Sequence, residues 1–354
     1  MSQNQSNFIK LAIEKAKHNL GNTGDNPSVG CVIVKNNSII STGNTSKNGR
    51  PHAEFNALNK NLNFNNSIMY TSLEPCTHFG LTPPCTKIIK RKKIKKVFYS
   101  FEDPDIRTHK KAKKILNKYK ILNKRIEIKN NLYKSYFLNK KFNLPLIDAK
   151  IAISKDFFTT NLKNKWITNS KSRRIGHLIR SRYDCIISTS RSINNDNALM
   201  NCRINGFDNN KPDLFIIDLK LRLKKTLKLF ALANKRKTYI ITCSNNNKKI
   251  CFLKRNKIRI INIIDLKSKN DFSKLFKKIF FLGYGRILVE TGITFLSELI
   301  KFKFIHNLYL FKSKNVLGKN GLNKVNPSLI KKNKLKKLVK VNLLEDKLYR
   351  IRKK

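Results

Sequence analysis

The residues in this sequence best suited to chemistry are His52, Glu54, Cys76 and Cys85. His52-Ala53-Glu54 is followed by Glu74-Pro75-Cys76, and then by Cys85 after an intervening segment of eight residues. A neutral imidazole and two thiolates make a three-ligand set with a fourth position left open, the arrangement zinc uses when it activates water. Zinc held this way brings the pKa of water to about 7, so hydrolytic attack can run at neutral pH. Thiolates ionise more readily at helix N-termini, and Pro51 and Pro83-Pro84 each stand where a helix is expected to open. Glu54 lies two residues past His52. At helical spacing it would point roughly half a turn away from the ligand direction, reaching water without binding the metal. That is the place for a general acid–base group that moves a proton from water to a leaving group.

Such a site needs a frame. Residues 6–20 carry apolar residues at helical spacing, opened by Ser6 and closed by Gly21. Val29 to Val34, the turn Asn36-Asn37 and Ser38 to Ser41 predict a hairpin. A helix should begin near Pro51, with Ala53, Phe55, Ala57 and Leu58. Ile68 to Ser72 reads as a strand, a helix follows Pro83-Pro84, and Val97 to Ser100 is another strand. The order α-β-β-α-β-α-β predicts a sheet covered by helices. A basic helical stretch, Leu132 to Phe142, leads to a boundary near Asn143-Leu-Pro145, dividing domains 1–145 and 146–354. The second part predicts strands at Ile147–Ile153, Asp184–Ser188, Asp213–Asp218, Thr238–Thr242, Arg286–Glu290 and Asn307–Phe311. Between them, Asn169 should cap a helix through Arg182, and Gly292 should lead into one carrying Phe295, Leu296, Leu299 and Ile300. Strands alternating with helices make this half α/β as well.

A chain of 354 residues accommodates two domains with separate cores. Lys and Arg outnumber Asp and Glu 76 to 21, giving a net charge of +55. The excess is diffuse, in runs such as Lys90–Lys96, Lys110–Lys114 and Lys331–Lys337, without interleaved aromatics. It reads as a solvated basic surface rather than a specific nucleic-acid groove. No stretch approaches the roughly 20 apolar residues of a membrane span. The N-terminal residues lack the basic-then-apolar pattern of a secretory signal, so a soluble, cytoplasmic protein is expected. The seven cysteines are scattered, and apart from Cys76 and Cys85 most are expected to be buried as small apolar residues.

His-x-Glu followed by Pro-Cys and a second Cys is the signature of zinc deaminases, in which the glutamate passes the proton on to departing ammonia. The segment Thr71-Ser-Leu-Glu-Pro-Cys-Thr-His-Phe-Gly-Leu-Thr-Pro-Pro-Cys85 departs from the usual Cys-x-x-Cys spacing. It resembles instead the deaminase half of the bifunctional riboflavin-biosynthesis deaminase–reductases. Asn26-Pro-Ser-Val-Gly-Cys31 and Asp103-Pro104 fit the same family. The resemblance implies a cytidine-deaminase-like α/β/α domain followed by a dihydrofolate-reductase-like α/β domain. It implies zinc and NADPH as cofactors and a small phosphorylated pyrimidine as substrate, with Asn26 and His78 holding its ring. A homo-oligomer is expected, with no membrane and no specific nucleic acid as partner. Leu81 stands where the family usually carries a basic residue.

The likeness continues through the second half in ordered short pieces: Lys150 to Asp156, Lys165-Trp-Ile-Thr168, Arg180, Asp196-Asn197, Cys202-Arg203, Pro212 to Asp218, and Val289-Glu-Thr-Gly292. It implies that Ala152, Trp166, Ser192, Asp196 and Gly292 line the nicotinamide cofactor, and that Asn164, Arg180, Met200, Arg203 and Glu290 face the substrate. Arg180 and Arg203 suit a ribose phosphate, since guanidinium binds phosphate oxygens in pairs. Gly292, at a strand-to-helix turn, can bring amides to a cofactor phosphate. Three departures stand out: Phe157 in place of a usual glycine, Ala198 of a proline and Asn201 of a threonine. Two rival readings follow from the same residues. One is a nucleic-acid-editing deaminase whose basic second half binds RNA; the other is a deaminase on an inactive reductase-like scaffold.

Overall fold

The computed structural model describes residues 3–164, 166–206, 212–326 and 338–352. Lys165 of the Lys165–Thr168 piece and the basic run Lys331–Lys337 lie outside the described residues. The chain divides into two compact units, Met1–Asn143 and Leu144–Lys354.

The first unit opens with helix α1 (Gln3–Ala16). It starts earlier than the expected Ser6 and stops short of Gly21, the intervening Lys17–Leu20 running as turns. Strands β1 (Gly30–Lys35) and β2 (Ser38–Asn44) form the hairpin. Asn36 and Asn37 turn it with φ of +49° and +62°, a left-handed pair that suits the twist of the strands and that asparagine tolerates well. Helix α2 (Ala53–Leu58) follows, then β3 (Ile68–Leu73), α3 (Cys85–Arg91), β4 (Lys96–Phe101), α4 (Ala112–Lys118), β5 (Leu122–Arg125) and α5 (Lys134–Phe142). The sheet order is β2-β1-β3-β4-β5, with β1 antiparallel to its neighbours and β3, β4 and β5 parallel. Ile9, Ala12, Ile13 and Ala16 of α1 are buried in the same core as Val32, Ile33 and Met69. Gly43 sets the position of α2. A Cβ there would collide with the Ala53 carbonyl oxygen and the Ala57 amide, so only glycine lets this helix lie directly on β2.

The second unit begins with β6 (Leu146–Ile153), β7 (Phe158–Asn161), α6 (Ser170–Arg180), β8 (Cys185–Thr189) and α7 (Ser190–Asp196). There follow β9 (Asp213–Ile217), β10 (Thr238–Thr242), α8 (Asn247–Arg255), β11 (Arg259–Asn262) and α9 (Lys269–Phe281). The unit ends with β12 (Arg286–Val289), α10 (Ile293–Lys301), β13 (Asn307–Lys312), β14 (Gly321–Lys324) and β15 (Lys347–Arg352). Eight strands form one sheet in the order β11-β10-β9-β8-β12-β6-β13-β15, parallel except for β15. β7 and β14 make a separate antiparallel pair. Both faces of the large sheet carry apolar cores, as expected for parallel strands, and β8, β9 and β10 accordingly read as near-continuous apolar runs. Asn169 caps α6 as expected, its side chain accepting from the Ser172 amide at 2.9 Å.

The turn between β6 and β7 explains one departure. Phe157 has φ of +74°, and its amide donates to the Ser154 carbonyl at 3.1 Å while the Ser154 amide donates to the Phe158 carbonyl at 2.9 Å. The turn therefore needs a left-handed residue at 157, the place where glycine costs nothing and a side chain costs about 1–2 kcal/mol. Phe157 offsets this by packing its ring against the core, with the Lys312 ammonium 4.7 Å from the ring centre.

Candidate active sites

The first site gathers at one end of the first unit's sheet. His52 is the N-cap of α2, with extended backbone (φ −70°, ψ 161°), and Glu54 is the second helical residue. This corrects the expectation that both lie on one helix half a turn apart. The two residues instead lie on either side of a change of backbone direction at the cap. β3 runs out through Leu73 into Glu74-Pro75-Cys76, and Cys85 is the first residue of α3, after Pro84 as N-cap. The Cys85 amide donates to Cys76 Sγ at 3.1 Å, so the α3 N-terminus supports that sulfur.

His52 Nδ1 lies 3.6 Å from Cys76 Sγ and 3.4 Å from Cys85 Sγ, and the three donor atoms fall within 4.8 Å of one another. A tetrahedral zinc with ordinary bond lengths would separate a nitrogen and a sulfur ligand by about 3.5 Å. The triangle therefore has the size that zinc needs. Hydrogen bonds from Cys85, helped by His52 against the cost of burial, hold the Cys76 thiol down to about 4. Cys85 is pushed up by its hydrogen bond to Cys76 and by burial. Burial, with the negative charge of Cys76 beside it, pushes the Glu54 carboxyl up to about 7. A buried carboxyl poised near neutrality can both take and give a proton.

The surroundings are fixed by buried carboxylates. Glu74 accepts from the amides of Asp103 and Lys110 through Oε2 and of Ala112 through Oε1, each at 3.1 Å. It ties the loop after β4 to the strand end that carries Cys76. Asp103 accepts from the Asp105 amide at 2.9 Å and from the Tyr136 hydroxyl at 3.0 Å. Asn26 and His78 line the same cavity of about 80 Å³, together with His52, Glu54 and Cys76. Asn26 donates to the Gly49 carbonyl at 3.2 Å, and His78 Nδ1 pairs with the Thr108 hydroxyl at 3.1 Å. Leu81 is 88% exposed and does not line the cavity. Arg50, Asp105 and Arg107 do line it and were not singled out in the sequence. Among 76 basic residues a lone arginine carries no signal; the Asp105–Arg107 pair, two residues apart beside Asp103-Pro104, was the available one.

The second site is a cavity of about 870 Å³ in the second unit. Ala152, Trp166, Ser192, Asp196 and Gly292 line it, as do Arg180, Met200, Arg203 and Glu290. Asn164 is exposed and is not part of the cavity wall. Trp166 is 52% exposed rather than a core residue, and Arg173 stacks on it at 4.7 Å. Arg180 lines the cavity with its guanidinium in a paired contact with Glu290, Nε to Oε1 at 2.6 Å and Nη2 to Oε2 at 2.9 Å. Lys150, on β6, adds a third charge with Nζ 3.8 Å from Glu290 Oε2. Lys150 heads the Lys150 to Asp156 piece of the sequence without an expected role of its own, although a lysine inside an apolar strand is itself a signal. The Gly292 amide donates to Ser192 Oγ at 3.1 Å, so the free amides at this turn are those that follow it in α10. Cys31, Cys185 and Cys202 are buried and Cys243 and Cys251 exposed, so most of the cysteines away from the candidate site are interior, as expected.

Residues 2–101 match the family pattern described as the cytidine and deoxycytidylate deaminase zinc-binding region, and residues 145–347 match the RibD C-terminal domain. The chain is 32% identical to the riboflavin biosynthesis protein RibD of Buchnera aphidicola subsp. Baizongia pistaciae, over 88% of this chain and 87% of that protein. It is 28% identical to RibD of Aquifex aeolicus, over 94% and 95% of the two chains. A solved structure from Thermotoga maritima, titled a diaminohydroxyphosphoribosylaminopyrimidine deaminase/5-amino-6-(5-phosphoribosylamino)uracil reductase, has 25% identity and a TM-score of 0.81, covering 99% of this chain and 98% of its own. These matches run through both units, and the chain belongs to the riboflavin-biosynthesis deaminase–reductase (RibD) family.

Proposed function

We propose that residues 1–145 deaminate 2,5-diamino-6-(5-phosphoribosylamino)pyrimidin-4-one and that residues 146–354 reduce the ribosyl group of the product to ribityl with NADPH. The observation that carries the first step is the His52–Cys76–Cys85 triangle with Glu54 beside it. His52, Cys76 and Cys85 would hold zinc, which supplies a Lewis acid that makes water nucleophilic at neutral pH. Glu54 takes a proton from the attacking water and gives it to the amino group, so that the C–N bond breaks as C–O forms and ammonia leaves. Asn26 and His78 stand where they can orient the ring. His78 is kept neutral by burial and by the nearby Arg107.

In the second cavity a nicotinamide cofactor would supply hydride. Arg191 and Lys228 on the wall favour a cofactor carrying an extra phosphate. Such cations favour NADPH over NADH, since charge-assisted hydrogen bonds to phosphate are the strong ones. Glu290, Arg180 and Lys150 set fixed charges on the wall, and Arg203 has the more open guanidinium for a substrate phosphate. A cavity of this size argues against an inactive scaffold, and a family likeness spanning both units leaves the RNA-binding reading without support.

The test is metal analysis together with ammonia release. Cys76→Ser is expected to lose zinc and deamination together. Glu54→Gln is expected to keep zinc and lose deamination by about a hundred- to ten-thousand-fold, while still oxidising NADPH on already deaminated substrate. Full deamination by zinc-free protein would end this reading.

A further inference from the structure

Three cations line the first cavity: Arg50, Arg107 and Lys140. Asp105 neutralises two of them. Arg107 donates to it through Nε at 2.9 Å and Nη2 at 2.6 Å, and Lys140 Nζ lies 3.7 Å away. The remaining acids near the cavity are engaged as well, Asp103 with the Tyr136 hydroxyl and the Asp105 amide, and Glu54 with the cysteine–histidine triangle. Arg50 is different. Among the described residues it has neither an ion-pair partner nor a hydrogen-bond partner, and its Nη1 is buried with no acceptor.

Arg50 also faces a defined part of the cavity wall. A Cβ built on Gly80 would lie 3.7 Å from Arg50 Nη2 and 4.0 Å from His78 Nε2, so guanidinium and imidazole frame the same bare stretch of backbone. On either side, Phe79 and Leu81 are 65% and 88% exposed and apolar, and offer an anion nothing. A buried donor without an acceptor is costly, more so when charged, so an anionic group entering here finds in Nη1 a donor already removed from water. Guanidinium binds phosphate oxygens through paired N–H donors, which gives geometry as well as charge.

We propose that Arg50 is the specificity-determining cation of the deamination site and binds the phosphate of its substrate. This deepens the reading of the first unit as a deaminase and rests on it. The test compares kcat/KM for ammonia release from the phosphorylated diaminopyrimidine and from the same compound after its phosphate has been removed. Zinc-loaded wild type, Arg50→Ala and Arg50→Gln are measured, with zinc content reporting that the fold is intact. The wild type is expected to prefer the phosphorylated compound. Both variants are expected to lower the phosphorylated-to-dephosphorylated ratio at least tenfold, chiefly through KM, and to weaken competitive inhibition by ribose 5-phosphate to a similar degree. A merely structural role would lower both rates together, and a ratio changed by less than tenfold overturns the proposal. Should wild type release no ammonia from either compound, the deaminase reading fails and takes the proposal with it. An active wild type with an unchanged ratio in the variants removes Arg50 alone.

Discussion

Replacing Glu290 by Gln removes the anion from a cluster that holds two cations in the second unit. The Glu290, Arg180 and Lys150 side chains are 7%, 15% and 23% exposed, so none can turn freely to water. Burial alone would raise the Glu290 carboxyl. Arg180 and Lys150 outweigh burial and hold it down to about 2, from an ordinary value of 4.5. A lowering of that size corresponds to roughly 3 kcal/mol of preference for the ionised form. Breaking a buried ion pair from one side costs about 3–5 kcal/mol, in agreement. For a unit of this length the expected fall in melting temperature is roughly 6–12 °C. Calorimetry of wild type and Glu290→Gln at pH 7 measures it. Because the folded value is depressed, the stabilisation is fully present above about 4.5 and is lost as pH falls through about 2. The gap between the two proteins should therefore hold constant near neutrality and close between pH 4.5 and 2. A fall of less than 2 °C at pH 7, or a gap unchanged at pH 3, would refute the reasoning. The measurement also separates a destabilised wall from any direct effect of the substitution on the reductase reaction.

Two further outcomes follow from local geometry. At position 157 the left-handed backbone makes Phe157→Gly more stable than Phe157→Ala by about 1 kcal/mol, the reverse of the order in an ordinary strand, and denaturant titration of the two variants checks it. His177 is pushed down to about 4 by burial and by Arg180 and Arg203. The unfolded chain thus binds a proton that the folded unit refuses between pH 6.5 and 4, and stability falls as pH drops through that range. His177→Gln should flatten the dependence of melting temperature on pH there, and an unchanged slope would contradict it.

The elements that position His52, Cys76 and Cys85 could be read from the sequence because their signals are local. Asn36-Asn37 needs only its own backbone preference to turn a hairpin, and Pro83-Pro84-Cys85 announces a helix start. The order His52, Glu54, Cys76, Cys85 carries a chemistry that few other residue sets support. What the sequence hid depends on distant partners. Arg180 meets Glu290 across 110 positions of chain, and its expected task as a phosphate ligand took no account of that. The start of α1 at Gln3 and the cap geometry at His52 turn on backbone angles that apolar periodicity does not register. Helix α7, Ser-Arg-Ser-Ile-Asn-Asn-Asp, is polar apart from Ile193, so a single apolar residue marks its inner face. The insertion of β6 between β12 and β13 is set by packing, not by any short pattern.

The buried carboxylates have a consequence for how the molecule meets its ligands. Glu54, Glu74, Asp103, Asp148, Asp218 and Glu290 are all interior, where they hold main-chain amides, hydroxyls and cations. With only 21 acids against 76 bases, each one taken inside leaves the exterior less compensated. A phosphorylated pyrimidine and a dinucleotide are both polyanions, so they approach through an attractive field long before either cavity is reached. Encounter is accelerated, and ionic strength sets by how much, because the field reaches only about 8–10 Å into physiological salt.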